Sequence, residues 1–533
     1  MSNPEQFEPN RRPESNLVPA TETLRPDQQE KESVGQPARL SNSTNVSNGD
    51  PAGNDSPIVE IELVEPVPSG HPIMAWTMIL ALVLLIVFVP GGEPEAPDPV
   101  AGDRIGRKVM EIQGKYLVGA AEMPGVGGAQ LFQQAQTLNT GRIDNRLRFV
   151  ILAGELAGAS EAVEQLDHLS KQLERSEIEP TADQEKVMNA LSRLYANYQE
   201  KQWDPASLDA SERELLKREL DWFGRLALSP ADGADNDART AVLAPARRTM
   251  IVLLLAFLLG ALIAMAGFAA LVLFIVLLAL GKIGSRLKTG SAGGGLYAET
   301  FAVWMSLFLG LNIAVSLIPW EQPTLLLNLA AFSLSLSALA WPVLRGVSWN
   351  QVRQDVGLTA GSRPFVEPLW GVVCYISTLP LVVIGLIVIV VMLQLQGFMG
   401  EPGGDNFGPV AMPSHPIVQW ISKSGWWGRF VIFAIACIAA PLVEETMFRG
   451  VLYRHLRNST AAWRVWLSIV FSVLVNSFLF AAIHPQGYLA IPVLMSLAAG
   501  FSLAREWRGS LLAPMTAHAT NNALVMIVIL MIV

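Results

Sequence analysis

Two adjacent glutamates, Glu444 and Glu445, interrupt an apolar segment that begins at Phe430 and is long enough to span a membrane. A charged side chain in hydrocarbon costs at least about 2.5–3.5 kcal/mol, so such residues usually have a function. Arg449 follows Glu445 by four residues, and on a helix these two share a face in the order that favours an ion pair. Glu444 points about 100° away and is left free, which suits a general base near neutral pH.

Two histidines lie in later apolar segments, each with a partner four positions away: Phe480 before His484, and Asn522 after His518. Each set has a simpler interpretation when it is taken singly. The glutamates could extend from the interface toward nearby arginines, His484 could close a helix before a turn, and His518 with Asn522 could join packed helices. Together, within 80 residues, they supply a base for water and donors for an oxyanion, as amide hydrolysis requires.

The composition predicts a membrane protein with an all-α fold. Of 533 residues, 51% are hydrophobic and only 16% are charged, and the apolar residues form blocks of about 20, the length that crosses a bilayer. The net charge of −9 and the missing basic patch exclude nucleic-acid binding. Cys374 and Cys437 both lie in apolar segments, so they predict neither a disulfide framework nor a metal site.

We predict a polytopic membrane helix bundle with a small extramembrane helical domain and a disordered N-terminal tail. The tail, 1–72, is too polar to fold, and the soluble domain, 91–248, has amphipathic segments separated by prolines into three or four helices. Transmembrane helix 1 takes 73–90, helices 2–5 with their loops take 249–424, and the region with the polar motifs takes 425–533. The nine predicted spans are 73–90, 250–281, 299–318, 324–344, 369–395, 428–449, 464–484, 488–504 and 510–532.

Lysine and arginine alternate between loops, which predicts the orientation in the plasma (inner) membrane. The tail is then cytoplasmic, and the C-terminus and the 91–248 domain are outside. Glu444 precedes Arg457 by 13 residues, about 20 Å along a helix, so it lies inside the bilayer. His484 closes a helix on the outer side, so either the 464–484 helix is broken or displaced, or the cavity opens outward. The positive loops contain Lys282, Arg286, Lys288, Arg345, Arg353, Arg363, Arg449, Arg454, Arg457, Arg464, Arg505 and Arg508.

These motifs resemble the three ordered motifs of the CPBP (CAAX protease and bacteriocin-processing, Abi) family, which includes the type II CAAX prenyl endopeptidases. The resemblance covers 425–533, about a fifth of the chain, and implies an intramembrane endopeptidase acting on a membrane-associated or lipidated, CAAX-like peptide. It implies that Glu444 and His484 activate water and that His518 and Asn522 stabilise the oxyanion. Glu445 and Arg449 would be structural or position the substrate, and Phe480 would pack beside the site.

Metal dependence stays open at this point. Glu444, His484 and His518 could bind zinc as a His₂Glu set, but no recognised zinc spacing is present, which favours the glutamate-dependent scheme without a cofactor. The alternative function is a non-catalytic membrane scaffold or bacteriocin-immunity protein that binds a peptide. A transporter is less favoured, because no inverted repeat is visible. The 91–248 domain could bind a protein partner or recruit substrates.

Overall fold

The computed structural model describes residues 70–88, 99–203, 205–233, 235–287, 289, 294–318, 324–395, 407 and 416–532. Within these residues the secondary structure is helical and contains no strand, which confirms the all-α prediction. Residues 1–69, most of the predicted disordered tail, lie outside the described residues. The helices are α1 Pro72–Phe88, α2 Pro99–Ala121, α3 Gly128–Ala135, α4 Ile143–Ala157, α5 Ala159–Arg175, α6 Ala182–Gln199, α7 Ala210–Leu220, α8 Trp222–Ala227, α9 Asn236–Ala279, α10 Leu296–Ser316, α11 Thr324–Leu334, α12 Ala340–Leu344, α13 Trp349–Val356, α14 Glu367–Leu395, α15 Pro416–Lys423, α16 Trp426–Ala434, α17 Ala440–Glu444, α18 Tyr453–Ser459, α19 Val465–Ala482, α20 Ile491–Arg508 and α21 Leu512–Ile532.

Helices α2 to α8 form a module around one hydrophobic core, and the first turns of α9 contribute to the same core. The predicted proline boundaries are present: Pro180 precedes the capping box of α6 at Thr181, Pro205 begins a 3₁₀ turn, and Pro230 lies before α9. The module has seven α-helices instead of three or four. Gly158, with φ of 103°, accounts for one of the extra breaks, since it separates α4 from α5 in a conformation that favours glycine.

Within the part of the chain that the structure describes, eight helical stretches are long and apolar enough to cross a membrane. The ninth predicted span, α1, is an apolar helix of 17 residues, about 26 Å long, and Trp76 Nε1 on it donates a hydrogen bond to His455 Nε2 on α18, 3.0 Å away. The chain is therefore a polytopic all-helical bundle. Eight of its described helical stretches meet the length and hydropathy of a membrane span, and α1 packs against them. The eight are Asn236–Ala279, Leu296–Ser316, Leu325–Leu344, Glu367–Leu395, Trp426–Ser459, Val465–Ala482, Tyr488–Arg508 and Leu512–Met531.

Small residues bring the central membrane helices close together around α14. Gly371 on α14 lies against the backbone of Ala513 on α21, and Gly500 on α20 lies against Thr378 on α14, so that a Cβ at either glycine would meet atoms within 3 Å. Helices in lipid gain little from hydrophobic association and depend on such close contact. The contacts hold α20 and α21, which carry or support the predicted site, in fixed positions against α14.

The helical module and the turn that carries His484 lie at the same end of the bundle. Helix α9 leaves the module and crosses the bundle, and Arg286, which follows it, donates its backbone N–H to the Glu506 carbonyl near the end of α20, at 2.9 Å. Since α20 begins at the opposite end, the His484 turn that leads into α20 is on the module's side. Helix α2 of the module also contacts α21.

Five arginines that the sequence places in positive loops are instead buried on helices. They bind carboxylates or a backbone carbonyl, so they contribute no free positive charge to a loop. These five arginines therefore no longer support the predicted membrane orientation. The contacts are Arg449 to Glu445 (2.9 Å), Arg454 to Asp355 (2.9 Å), Arg457 to Glu506 (3.0 Å), Arg508 to Glu367 (2.7 Å) and Arg505 to the Asp355 carbonyl (3.2 Å).

Candidate active site

The two glutamates lie on a continuous helix, Trp426–Ser459, that includes two π-helical segments, Ile435–Ala439 and Glu445–Leu452. We call it the glutamate helix. The sequence predicts an ordinary α-helix here, so the π segments are a difference from expectation. Such wide turns are rare and often occur at functional sites. Glu444 is the last residue of the short α-helical segment between them.

Glu445 and Arg449 form the predicted i,i+4 ion pair, with Oε1 2.9 Å from Nη1 and both side chains fully buried. Arg449 also donates to the Ala498 carbonyl, at 3.3 Å, and its guanidinium lies 4.4 Å from the centre of the Phe480 ring. A buried charge is tolerated where it is paired and hydrogen-bonded. The pair therefore neutralises Glu445 inside the bundle and links the glutamate helix to α19 and α20.

His518 lies between the two glutamates. Its Nδ1 is 2.8 Å from Glu445 Oε1, and because a carboxylate only accepts, Nδ1 carries the hydrogen. Its Nε2 lies 3.9 Å from Glu444 Oε2. The ring stacks on Phe501 with centroids 5.3 Å apart. Glu445 thus orients the imidazole of His518 as well as pairing with Arg449, a contact that the sequence does not reveal.

His484 reaches the same carboxylate from a different element. It lies in the turn after α19, its Nδ1 donates to the Phe480 carbonyl at 2.5 Å, and its Nε2 is 3.8 Å from Glu444 Oε2. Helix α19 ends at Ala482, two residues before the predicted end, and the turn that follows brings the imidazole to Glu444. Phe480 packs beside it, with ring centroids 4.2 Å apart.

Both imidazoles therefore have Nδ1 anchored and Nε2 directed at one oxygen, Glu444 Oε2. That oxygen is buried and accepts no hydrogen bond from any described residue. Gaps of 3.8 and 3.9 Å are too long for direct hydrogen bonds. The side chains of His484 and Glu444 are 17% and 18% exposed, so solvent reaches this cluster of a carboxylate and two imidazoles.

Asn522 lies one turn beyond His518 and is engaged elsewhere. Its Nδ2 donates to the Ala436 carbonyl in the first π segment, at 2.8 Å, and its Oδ1 accepts from Asn521 at 3.1 Å. The structure thus brings Glu444, Glu445, His484 and His518 together, and it directs Asn522 toward the backbone of the glutamate helix. Phe501 and Asn521 also contact these side chains, although neither belongs to a sequence spacing that marks a polar site.

The donor types of Glu444, His484 and His518 suit zinc. Across the residues that the structure describes, however, no three His, Cys, Asp or Glu side chains are placed so that they could hold a metal ion. The residues as placed do not form a zinc site.

Residues 426–524, which include every one of these side chains, match the Rce1-like family, described as type II CAAX prenyl endopeptidase Rce1-like. Over 98 residues the chain is 33% identical to the membrane-embedded CAAX protease MroQ of Staphylococcus aureus, covering 18% of this chain and 38% of that protein. Residues 426–524 are therefore similar to the CPBP/CAAX protease family. An uncharacterized 24.3 kDa protein of Escherichia coli is 37% identical over 89 residues, which are 16% of this chain and 39% of that protein.

All three motifs that converge on the Glu444 carboxylate lie within the matched residues. The chain spans about two fifths of the length of these relatives, and α1 to α14, including the module, lie outside the matched residues. No solved structure is significantly similar to the chain.

Proposed function

We propose that this protein is an intramembrane endopeptidase that hydrolyses a peptide bond of a membrane-associated or lipidated, CAAX-like substrate. The observation that carries the proposal is the approach of two imidazole Nε2 atoms to the buried, unpartnered Oε2 of Glu444, at 3.8 and 3.9 Å. A structural polar cluster would bond these groups to one another. Here they stay apart, and the side chains of His484 and Glu444 are 17% and 18% exposed, so water for hydrolysis can reach them.

In the proposed reaction, water donates one hydrogen to Glu444 and the other to Nε2 of His484, whose Nδ1–H is held by the Phe480 carbonyl. Glu444 takes the first proton as the water oxygen attacks the peptide carbonyl carbon. The same proton then passes from Glu444 to the leaving nitrogen as the C–N bond breaks. One water and one amide thus give a carboxylic acid and an amine.

His518 is the proposed donor to the oxyanion that forms in between. Because its Nδ1–H is bonded to Glu445, its Nε2 can donate only when the ring is protonated. Glu445 stabilises that imidazolium, and Arg449 keeps Glu445 ionised. Asn522 can add only the second hydrogen of an amide group that already donates to Ala436.

The function is tested by comparing the protein termini in membranes of cells that make the wild-type chain or the His484→Ala variant. We expect a set of new termini with the wild type that is lost with His484→Ala. His168→Ala is the matched control, because this histidine is exposed on the module. Identical termini in all three samples would favour the non-catalytic scaffold or immunity protein. The parent proteins also reveal whether the substrates are lipidated.

Metal removal gives a separate prediction. Since the described residues form no metal-holding cluster, we expect purified protein to cleave a peptide from that comparison at an unchanged rate after treatment with a strong chelator. Elemental analysis of the same sample accompanies the assay. Loss of cleavage on chelation, with recovery on adding Zn²⁺, would establish the zinc alternative through Glu444, His484 and His518.

The module is the proposed site for a protein partner or for substrate recruitment, since it lies at the end of the bundle to which His484 belongs and contacts α21. We also propose the orientation with the tail in the cytoplasm and the module outside, in the plasma (inner) membrane.

A further inference from the structure

The first π segment of the glutamate helix leaves one partly buried carbonyl without a backbone donor. In this segment each N–H reaches five residues back, and Ala440 accordingly donates to the Ile435 carbonyl. The next donor in the same register would be residue 441, reaching the carbonyl of Ala436. Residue 441 is proline, which has no N–H.

The Ala436 carbonyl lacks a backbone donor because of both the π-helical register and the proline. In an α-helical register Ala440 would donate to Ala436, but its N–H is directed to Ile435. An unpaired carbonyl is costly in hydrocarbon, where no water replaces the lost partner. The missing donor is Nδ2 of Asn522, 2.8 Å from the Ala436 oxygen. Asn521 donates to Oδ1 of the same amide, so the amide is held with its NH₂ end toward the carbonyl.

We infer that Asn522 is a positioning residue: it completes the proline-interrupted π segment and so fixes α21 against the glutamate helix. The inference rests on the proposed peptidase function of the same site. Two bonds join these helices, Asn522 to Ala436 and His518 to Glu445, at 2.8 Å each. The two bonds lie one turn apart on α21, so together they fix its register along the glutamate helix and hold the His518 imidazole in its place beside Glu444.

Pro441 provides the test, because replacing it restores a backbone donor. In Pro441→Ala the Ala436 carbonyl can accept a hydrogen bond from the N–H of residue 441 in the π register or of Ala440 in the α register. Asn522 is then no longer needed as its donor. The experiment compares the wild type, Asn522→Ala, Pro441→Ala and the double variant. Each full-length protein is assayed for kcat and KM on a peptide that the wild type cleaves.

We expect Asn522→Ala to lower kcat about tenfold or more when Pro441 is present, with little change in KM, since it leaves a partly buried carbonyl unpaired inside the bundle. When the same change is made in the Pro441→Ala protein, it should cost less than about threefold, because the two sites are coupled. An equal loss in both backgrounds would overturn the inference and show that Asn522 acts on the oxyanion directly.

Thermal unfolding in detergent compares the same four proteins by Tm, a measurement that does not depend on activity. Asn522→Ala should lower Tm when Pro441 is present and leave it nearly unchanged in the Pro441→Ala protein. If the Pro441→Ala protein is itself inactive, the two Tm comparisons alone test the inference. Equal Tm losses in both backgrounds would contradict it. If the wild type cleaves no peptide, the proposed function fails, while the Tm comparison still tests the contact.

Discussion

Replacing Glu444 by glutamine is expected to reduce kcat/KM by about 10²–10⁴-fold, the contribution of a positioned general base. Glutamine keeps the shape of the side chain but cannot take a proton from water. The same change should leave Tm equal or higher, because the carboxylate Oε2 is buried and receives no hydrogen bond from the described residues. Kinetics on a peptide identified by the termini comparison, together with thermal unfolding in detergent, measure both effects.

The control for this change is Glu174→Gln, since Glu174 is exposed on the module and should affect neither measurement. A Glu444→Gln protein with more than a tenth of the wild-type rate would argue against Glu444 as the base. A strong fall in Tm would show instead that the carboxylate stabilises the fold. Opposite movements of activity and stability are typical of a site that is selected for chemistry.

The second large effect is expected on stability, from Arg449→Met. Methionine fills a similar volume among Phe480 and Phe501, but it leaves Glu445 fully buried without its cation. Removing one partner of a buried ion pair costs about 3–5 kcal/mol, because the remaining charge is uncompensated. The free energy of unfolding, or Tm in detergent where unfolding is irreversible, should fall accordingly.

Two further variants make this prediction specific. Arg464→Met removes an exposed arginine near the start of α19 and should change stability by less than about 0.5 kcal/mol. The double variant Glu445→Gln/Arg449→Met buries no charge at this position, so it should recover part of the loss. If Arg449→Met is no less stable than Arg464→Met, the pair does not stabilise the bundle.

Part of the site could be predicted from helical periodicity. The Glu445–Arg449 pair and the common face of His518 and Asn522 both follow from i,i+4 spacing, which is a property of the local chain. Length and hydropathy likewise placed the eight spans, and prolines placed several boundaries of the module. The residues that resembled the CPBP motifs all fall within the region that matches the family, 426–524.

Other features depended on which helix faces meet. Arg454, Arg457 and Arg508 read as loop charges because nothing local shows that Asp355, Glu506 and Glu367 lie beside them. Likewise, Pro485 and Gly487 mark a turn after α19, but the place of His484 depended on how that turn packs against the glutamate helix.

The sequence by itself therefore determined the class of the protein, its spans and the inventory of its site, because hydrophobic length and helical spacing are local properties. Only the tertiary structure decided how these groups are used: Glu445 orients His518, two Nε2 atoms face Glu444, and Asn522 pairs with the carbonyl that Pro441 leaves without a donor. The physical reason is that a buried polar atom must find a partner, and in a bundle that partner is supplied by whichever helix packs against it.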